Sequence, residues 1–133
     1  MSSSQWIEED DDGFIGLVGP LLRQPSTDNV GRFRFHAQAK HANRAGFVHG
    51  GMLMTAADRS MGRTARMEKV DRSQATAQFA MQFFEPVRIG EIVDIVCTPV
   101  RQTRHLVFMQ GDLFVESRKV ASAQGVWKII GRA

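Results

Sequence analysis

The chain has 133 residues, with 17 Lys and Arg against 14 Asp and Glu, one cysteine and no tyrosine. That length supports one hydrophobic core, and a hydrophobic content of 43% with 23% charged residues excludes an intrinsically disordered protein. The lone Cys97 excludes an internal disulfide framework and a multi-cysteine metal site, and it suits a reducing compartment. The acidic N-terminus is unlike a signal peptide, and no apolar run approaches the ~20 residues of a membrane span. We therefore expect a cytoplasmic protein.

Charge is distributed unevenly along the chain. Residues 1–12 contain five acidic residues and no basic one, so the rest carries 17 basic against nine acidic side chains, a net +8. We interpret residues 1–13 as an acidic tail and residues 14–133 as a single domain. A basic surplus suits nucleic acid, a phosphate-bearing small ligand or solubility alone, and charge does not choose among these.

The first part of the domain mixes irregular and regular segments. Residues 14–24 are apolar but contain two glycines and a proline, which predicts an irregular start to the fold. Alternating apolar and polar residues from Gly31 to Ala39 predict a half-buried strand with His36 on its surface. The Asn- and Gly-rich segment from His41 to Val48 predicts a loop.

A helix is predicted from about Gly50 to Glu68. Small and apolar side chains recur there at helical spacing and form one continuous stripe: Leu53, Ala56, Ala57, Ser60, Met61 and Ala65. Small residues in the stripe would let the helix approach a sheet closely. Arg59, Arg63 and Arg66 lie on a second face, which we expect to be solvated.

Four strands are predicted after the helix, over residues 76–84, 91–101, 105–116 and 119–130. In the first of them Phe79 and Met81 point to one side, and Thr76 and Gln78 to the other. Pro99 predicts a bulge or an edge position in the second, where Cys97 is expected to be core. One long helix followed by strands with short connections predicts an α+β fold, an antiparallel sheet wrapped on a single central helix.

The start of the helix carries the first candidate site residues. Gly50 and Gly51 open it, so the helix itself does not satisfy their backbone N–H groups. With no side chains to block approach, these donors favour an anion or a polarised carbonyl oxygen. The alternative is that the two glycines only allow a tight turn into the helix.

Asp58 is the second candidate. It lies seven residues after Gly51, on nearly the same face but roughly 10 Å further along the axis. The functional interpretation is a general base or a nucleophile toward an acyl carbon. The structural alternative is an ion pair with Arg59, with Arg63 or with a base on the sheet.

The spacing between these two features restricts how they can act together. A reacting carbonyl must lie about 3 Å from its oxyanion donor and from the attacking group. The Gly50 amide and Asp58 of one helix are too far apart for that, so a shared carbonyl requires two subunits. Two helices running antiparallel across a two-fold axis would create two equivalent sites.

The residues around the helix resemble a known signature. The spacing of Asn43, His49-Gly50-Gly51, Asp58 and Gly62 is similar to that of hotdog-fold acyl-CoA thioesterases of the phenylacetate-degradation type. The run from Phe83 to Glu91 resembles the strand-end motif of the same family, and the resemblance extends over roughly residues 14–130. It implies a hotdog fold and hydrolysis of an acyl-CoA thioester to free acid and coenzyme A.

The resemblance also implies roles for individual residues. Asp58 would activate water or attack the thioester carbonyl, and the Gly50 amide would polarise that carbonyl. Asn43 would position the water or the thioester, and His49 would support the carbonyl end of the site. Thr76 would help orient the water or Asp58.

Further residues are expected to bind substrate. The resemblance implies that the nucleotide end of coenzyme A lies near the end of the strand after the helix and near the next hairpin. The residues expected at the acyl or coenzyme A moiety are Gly51, Met54, Phe83, Phe84, Arg88, Arg101, Arg104 and His105. Arginine suits phosphate because its planar fork donates two hydrogen bonds at once. The alternative interpretation of the basic residues is that they are ordinary charges at a hairpin tip. The alternative interpretation of Met54 is that it only packs in the fold.

The leading hypothesis is thus an acyl-CoA thioesterase acting as a homodimer or a dimer of dimers. The alternative is a hotdog module that binds acyl-CoA as a sensor or carrier without turnover. A hotdog hydratase would need a different Asp and His pattern, and no ladder of exposed aromatic residues indicates nucleic-acid binding. We expect no metal, no cofactor other than coenzyme A as part of the substrate, and no membrane partner. The sequence does not assign the acyl group.

Overall fold

The computed structural model describes residues 5–66 and 72–131. Its elements in chain order are β1 (Ile7–Glu8), α1 (Phe14–Val18), β2 (Leu22–Arg23), β3 (Gly31–His36), α2 (Gly50–Arg66), β4 (Ser73–Phe83), β5 (Ile92–Gln102), β6 (Leu106–Val115) and β7 (Arg118–Ile130). A single turn of 3₁₀ helix, Ala39–His41, lies between β3 and α2.

The strands form one antiparallel sheet in the order β1-β2-β3-β5-β6-β7-β4. The long helix α2 packs against β3, β4, β5, β6 and β7. One face of the sheet thus wraps around a single long helix, which confirms the predicted α+β class and architecture. Because β4 is last in the order, one side of this 11-residue strand pairs with no other described strand.

The predicted helical stripe faces the core. Leu53, Ala56, Ala57, Ser60, Met61 and Ala65 are all buried. Close packing of the helix on the sheet also uses glycines of the strands. A Cβ on Gly111 of β6 would lie 2.6 Å from the sulfur of Met61, so a larger residue there would displace the Met61 side chain. Cys97 is fully buried in the same core, as predicted.

Two predicted boundaries changed before the central helix. Residues 14–24 were expected to be irregular, but they contain α1 and β2. The prediction was wrong because α1 has only five residues, too few to show a helical pattern in the sequence. Gly19 ends this helix by donating its N–H to the Ile15 carbonyl. Strand β3 stops at His36 rather than at Ala39, where the 3₁₀ turn begins. The predicted end of the long helix, Glu68, lies outside the described residues.

Two bulges interrupt the long strands. The register between β5 and β6 shifts between Pro99 and Arg101, which confirms the bulge predicted at the proline. The register between β4 and β7 shifts between Thr76 and Gln78. This second bulge corrects the predicted faces of β4, because it turns Thr76 to the helix side, where Phe79 also packs.

The acidic N-terminal segment binds the arginine face of α2. The Glu9 carboxylate, with only 7% of its side chain exposed, lies 3.0 Å from Arg23 Nε and 3.5 Å from Arg59 Nε. Asp11 accepts a hydrogen bond from Arg59 at 2.6 Å, and Arg63 Nε lies 3.9 Å from Glu9. The expectation of a solvated face is therefore wrong for Arg59 and Arg63, since the same chain supplies their counter-charges.

The division of the chain into a tail over residues 1–13 and a domain over residues 14–133 stays a prediction. Within the proposed tail, β1 pairs with β2 at the edge of the sheet. The guanidinium of Arg34 also stacks on the ring of Trp6, with 4.4 Å between its Cζ atom and the ring centroid. Cation–π contacts of this kind stabilise by roughly 0.5–2 kcal/mol.

Gly62 of α2 provides a test of the packing. A Cβ there would lie 2.8 Å from Trp127 Nε1. Gly62→Ala gains about 1 kcal/mol of helix propensity, whereas overpacking a core costs about 1–3 kcal/mol. We expect a net loss of stability, measured as a lower urea midpoint. In a Trp127→Phe background the added methyl group has more space, so Gly62→Ala should cost less or become stabilising. An equal cost in both backgrounds would show that the two residues are not coupled.

Candidate active site

Asp58 and Thr76 form a direct polar pair between the helix and the sheet. The Thr76 hydroxyl donates a hydrogen bond to Asp58 Oδ1 at 2.6 Å. The alternative of an ion pair between Asp58 and the adjacent Arg59 does not apply, because Arg59 binds Asp11 and Glu9 instead. A cavity of about 330 Å³ is lined by Phe14, Ile15, Thr55, Asp58, Arg59, Gln74, Thr76 and Trp127. We refer to it as the Asp58 cavity.

The first turn of α2 has one backbone donor available to a ligand. The Gly51 N–H donates to His49 Nδ1 at 2.8 Å, and the Met52 N–H donates to the His49 carbonyl at 2.9 Å. Within residues 5–66 and 72–131, the Gly50 N–H has no acceptor. The positive end of the helix dipole lies at the same position. Gly50 is therefore the better candidate than Gly51 for polarising a carbonyl oxygen.

Asn43 lies beside Gly50 and is held by its own loop. Its Oδ1 accepts hydrogen bonds from the Ala45 and Phe47 N–H groups at 2.9 and 3.0 Å. The side-chain oxygen thus shapes the loop, while the amide NH₂ retains its donors for a ligand or a water. Asn43, Gly50, Phe83 and Phe84 line a second cavity of about 320 Å³, so the structure brings these four predicted residues together. We refer to it as the Gly50 cavity.

The Gly50 cavity lies at the start of α2 and the Asp58 cavity at its middle. Asp58 follows Gly50 by eight residues, which is about 12 Å along the helix axis. Strand β4 runs antiparallel to the helix, so Thr76 lies beside Asp58 whereas Phe83 lies beside Gly50. A single carbonyl does not reach both groups within one chain.

The predicted phosphate-binding residues lie near opposite ends of strand β4. Arg88 follows β4 and forms a bridge with Phe47 next to the Gly50 cavity. Arg101, Arg104 and His105 surround the turn between β5 and β6, which lies where β4 begins. Eleven residues of strand span about 35 Å. One chain does not bring Arg88 together with the other three, although all four are exposed.

Some residues around these cavities were not predicted. Phe14 and Ile15 of α1 line the Asp58 cavity, and no sequence motif predicted them as site residues. Arg118 binds Glu85 at 2.7 Å and Glu91 at 3.1 Å, which braces the turn that carries Arg88. Charge complementarity alone does not identify such partners, since they lie 33 and 27 residues apart in sequence.

Other candidate groups have structural surroundings. Burial raises the pKa of the Cys97 thiol to about 12, which leaves it protonated and unreactive at neutral pH. His41 is buried, accepts from the Gln38 N–H at 2.9 Å and lies 2.6 Å from the Val18 carbonyl oxygen, so it fixes a turn. Met54 is 39% exposed on α2.

The described part of the chain has neither a cluster of metal-binding side chains nor a membrane-spanning helix. In residues 5–66 and 72–131, no three His, Cys, Asp or Glu side chains are grouped closely enough to hold a metal ion. In the same part of the chain, none of the helices has the length and apolar character needed to cross a membrane.

Known structures share this fold. A conserved protein of Pseudomonas aeruginosa, PA5202, superposes with a TM-score of 0.83 at 25% identity, over 90% of this chain and 95% of that one. A variant of the phenylacetic acid degradation protein PaaI from Thermus thermophilus gives 0.78 at 20% identity, over 90% and 99%. The protein smu.793 from Streptococcus mutans, bound to acetyl-CoA, gives 0.75 at 18% identity, over 83% and 88%.

The family comparison covers the segment that holds the site. The profile of the thioesterase superfamily matches residues 45–122, which is more than half of the chain and includes Gly50, Asp58 and Thr76. Together with the wrapped helix, this confirms the resemblance to hotdog-fold thioesterases. The chain belongs to the thioesterase superfamily.

Proposed function

We propose that the protein hydrolyses an acyl-CoA thioester at a site shared between two subunits. One observation carries the proposal: Asp58, hydrogen-bonded to Thr76, and the Gly50 N–H, which has no acceptor among the described residues, lie about 12 Å apart on one helix. Each is suited to one half of the reaction, and neither cavity of one chain contains both.

The chemistry follows from the two groups. The Gly50 N–H and the helix dipole would stabilise negative charge developing on the thioester oxygen. Asp58 would take a proton from the attacking water, or attack the carbonyl carbon itself to form an anhydride that water then opens. In both cases coenzyme A leaves as the thiolate and the products are its thiol and a carboxylic acid. The Thr76 hydroxyl fixes Oδ1 of Asp58, which leaves Oδ2 for this role.

The free edge of β4 supports the pairing of two chains. The strand has 11 residues and no charge, and an exposed edge of this kind readily adds another strand. An antiparallel pair centred between Phe79 and Ala80 would set Thr76 opposite Phe83 of the partner subunit. Within each chain Asp58 lies beside Thr76, and Gly50 lies beside Phe83. The same pairing of strands would therefore bring Asp58 of one chain to the partner's Gly50.

Coenzyme A is the proposed leaving group. The superfamily match supports a thioester substrate, and one protein with the same fold binds acetyl-CoA. The antiparallel pair would also bring Arg88 of one chain toward the end of the sheet where the partner carries Arg101, Arg104 and His105. Such a cluster suits the phosphates of coenzyme A.

Asp58→Asn tests the catalytic role. The substitution keeps an acceptor for the Thr76 hydroxyl but removes the base, so we expect kcat for acyl-CoA hydrolysis to fall by about 10³ or more. Binding of a nonhydrolysable acyl-CoA thioether should survive, as calorimetry would show. Asp10→Asn, which removes the same charge from an exposed position, is the control. Unchanged turnover in Asp58→Asn would reject the mechanism in favour of a binding module.

Gly50→Pro tests the backbone donor. Proline is well tolerated at the first helical position and has no N–H, so it deletes the proposed oxyanion donor with little change to the helix. We expect kcat to fall by about 10²–10³. Gly50→Ala keeps the N–H, and its Cβ would lie 3.5 Å from Phe83, an ordinary contact, so it should stay active. Equal activity of the proline and alanine variants would assign the oxyanion to another group.

Mixing the two inactive variants tests the shared site. After subunit exchange, a heterodimer of Asp58→Asn and Gly50→Pro chains has one site with both native groups and one with neither. Random pairing should therefore restore about a quarter of wild-type activity. If both groups acted within one chain, mixing would restore none. Native mass spectrometry of the same samples shows whether the chains have exchanged, because the two variants differ in mass.

A further inference from the structure

The short helix α1 lies beside the proposed catalytic carboxylate. Phe14 and Ile15 line the Asp58 cavity, and Phe14 and Val18 line a neighbouring cavity of about 380 Å³. Thr55 also lines both cavities. Phe14 and Thr55 therefore stand at the boundary between the two cavities. Phe14 is the larger of the two and is 62% exposed.

Contacts at both ends hold α1 in this position. Asp11, just before the helix, binds Arg59 at 2.6 Å, and the Gly13 N–H donates to Asp11 at 2.7 Å. These two donors hold the pKa of the Asp11 carboxyl below its ordinary value, so it stays ionised at neutral pH. At the other end, Lys40 Nζ donates to the Leu17 carbonyl at 3.3 Å. Five residues alone do not form a stable helix, so these contacts determine where Phe14 lies.

The surroundings of Phe14 suit the acyl moiety rather than the nucleotide. A thioester carbonyl at Asp58 has two substituents, the acyl group and coenzyme A. Two exposed acidic residues, Asp10 and Asp12, precede Phe14 closely and would repel phosphates, whereas Asp11 is paired with Arg59. The side chains of Phe14, Ile15 and Trp127 give the Asp58 cavity an apolar wall. Beyond Phe14, Val18 and Met52 continue that apolar lining in the neighbouring cavity.

We propose that Phe14 limits the length of the acyl group by closing the Asp58 cavity from the neighbouring cavity. This inference rests on the proposed function, because it assumes that the carbonyl lies at Asp58. A cavity of about 330 Å³ takes a short or single-ring acyl group. Removal of the Phe14 ring would join it to the second space of about 380 Å³ and admit a longer chain. The acidic segment thereby acquires a role, since it holds α1 in place.

Phe14→Ala is the test, with hexanoyl-CoA and dodecanoyl-CoA as substrates. We expect the ratio of kcat/KM for the longer to the shorter substrate to rise at least about tenfold, since a few methylenes in an apolar pocket discriminate by that factor or more. Phe14→Leu should give an intermediate ratio. Leu17→Ala is the matched control, because Leu17 lies on the same helix, is 71% exposed and lines neither cavity. Its ratio should equal that of the wild type.

A binding measurement separates this inference from the proposed hydrolysis. S-(2-oxoalkyl)-CoA thioethers of the two chain lengths are titrated into wild type and Phe14→Ala by calorimetry. If the wild type hydrolyses neither substrate, the proposed function fails, yet a selective gain in affinity for the long thioether still supports the role of Phe14. An unchanged preference in both measurements would overturn that role, and so would equal losses for both lengths. Absence of thioether binding to the wild type would also overturn it.

Discussion

The rigidity of α2 is the constraint on which the rest of the site depends. A 17-residue helix packed on five strands keeps its first turn and Asp58 about 12 Å apart, and no loop movement shortens that distance. The helix thus separates the donor for an oxyanion from the carboxylate that would attack. A two-fold axis is the simplest means of bringing the two groups together, because antiparallel helices place the start of one beside the middle of the other.

The distribution of charge follows from the same helix. Its arginine face places the partly buried guanidinium of Arg59 in the same cavity as Asp58, and a buried unpaired cation is unfavourable. Glu9 and Asp11 supply the counter-charge, so the proposed carboxylate is not drawn into an ion pair with Arg59. Its partner is the neutral Thr76 hydroxyl instead. The acidic segment therefore supports the site from a distance in sequence of about fifty residues, since Asp11 and Arg59 are 48 apart.

Periodicity was enough to predict the large elements, and it failed where elements were short. The buried stripe of α2 and the long strands β5, β6 and β7 each repeat a pattern several times, so their faces follow from the residues. In β4 the bulge breaks the alternation, and the predicted faces were wrong there. A five-residue helix such as α1 and the two-residue strand β2 do not contain a full repeat. The resemblance named Asp58 and Thr76, and the structure places them in contact. The Glu9 and Asp11 partners depend on tertiary approach, for which no local signal exists.

The bulge in β4 shows how one strand meets two conflicting demands. A regular strand with Thr76 toward the helix would also turn Gln78 inward and place Phe79 on the outer face. The extra residue between Thr76 and Gln78 shifts the alternation by one, so Thr76 reaches Asp58 and Phe79 still packs on the core. The neighbouring strand accommodates this with Gly125, where a Cβ would lie 2.5 Å from the Gln78 carbonyl oxygen. The orientation of the Thr76 hydroxyl thus depends on a glycine, Gly125, in the adjacent strand β7.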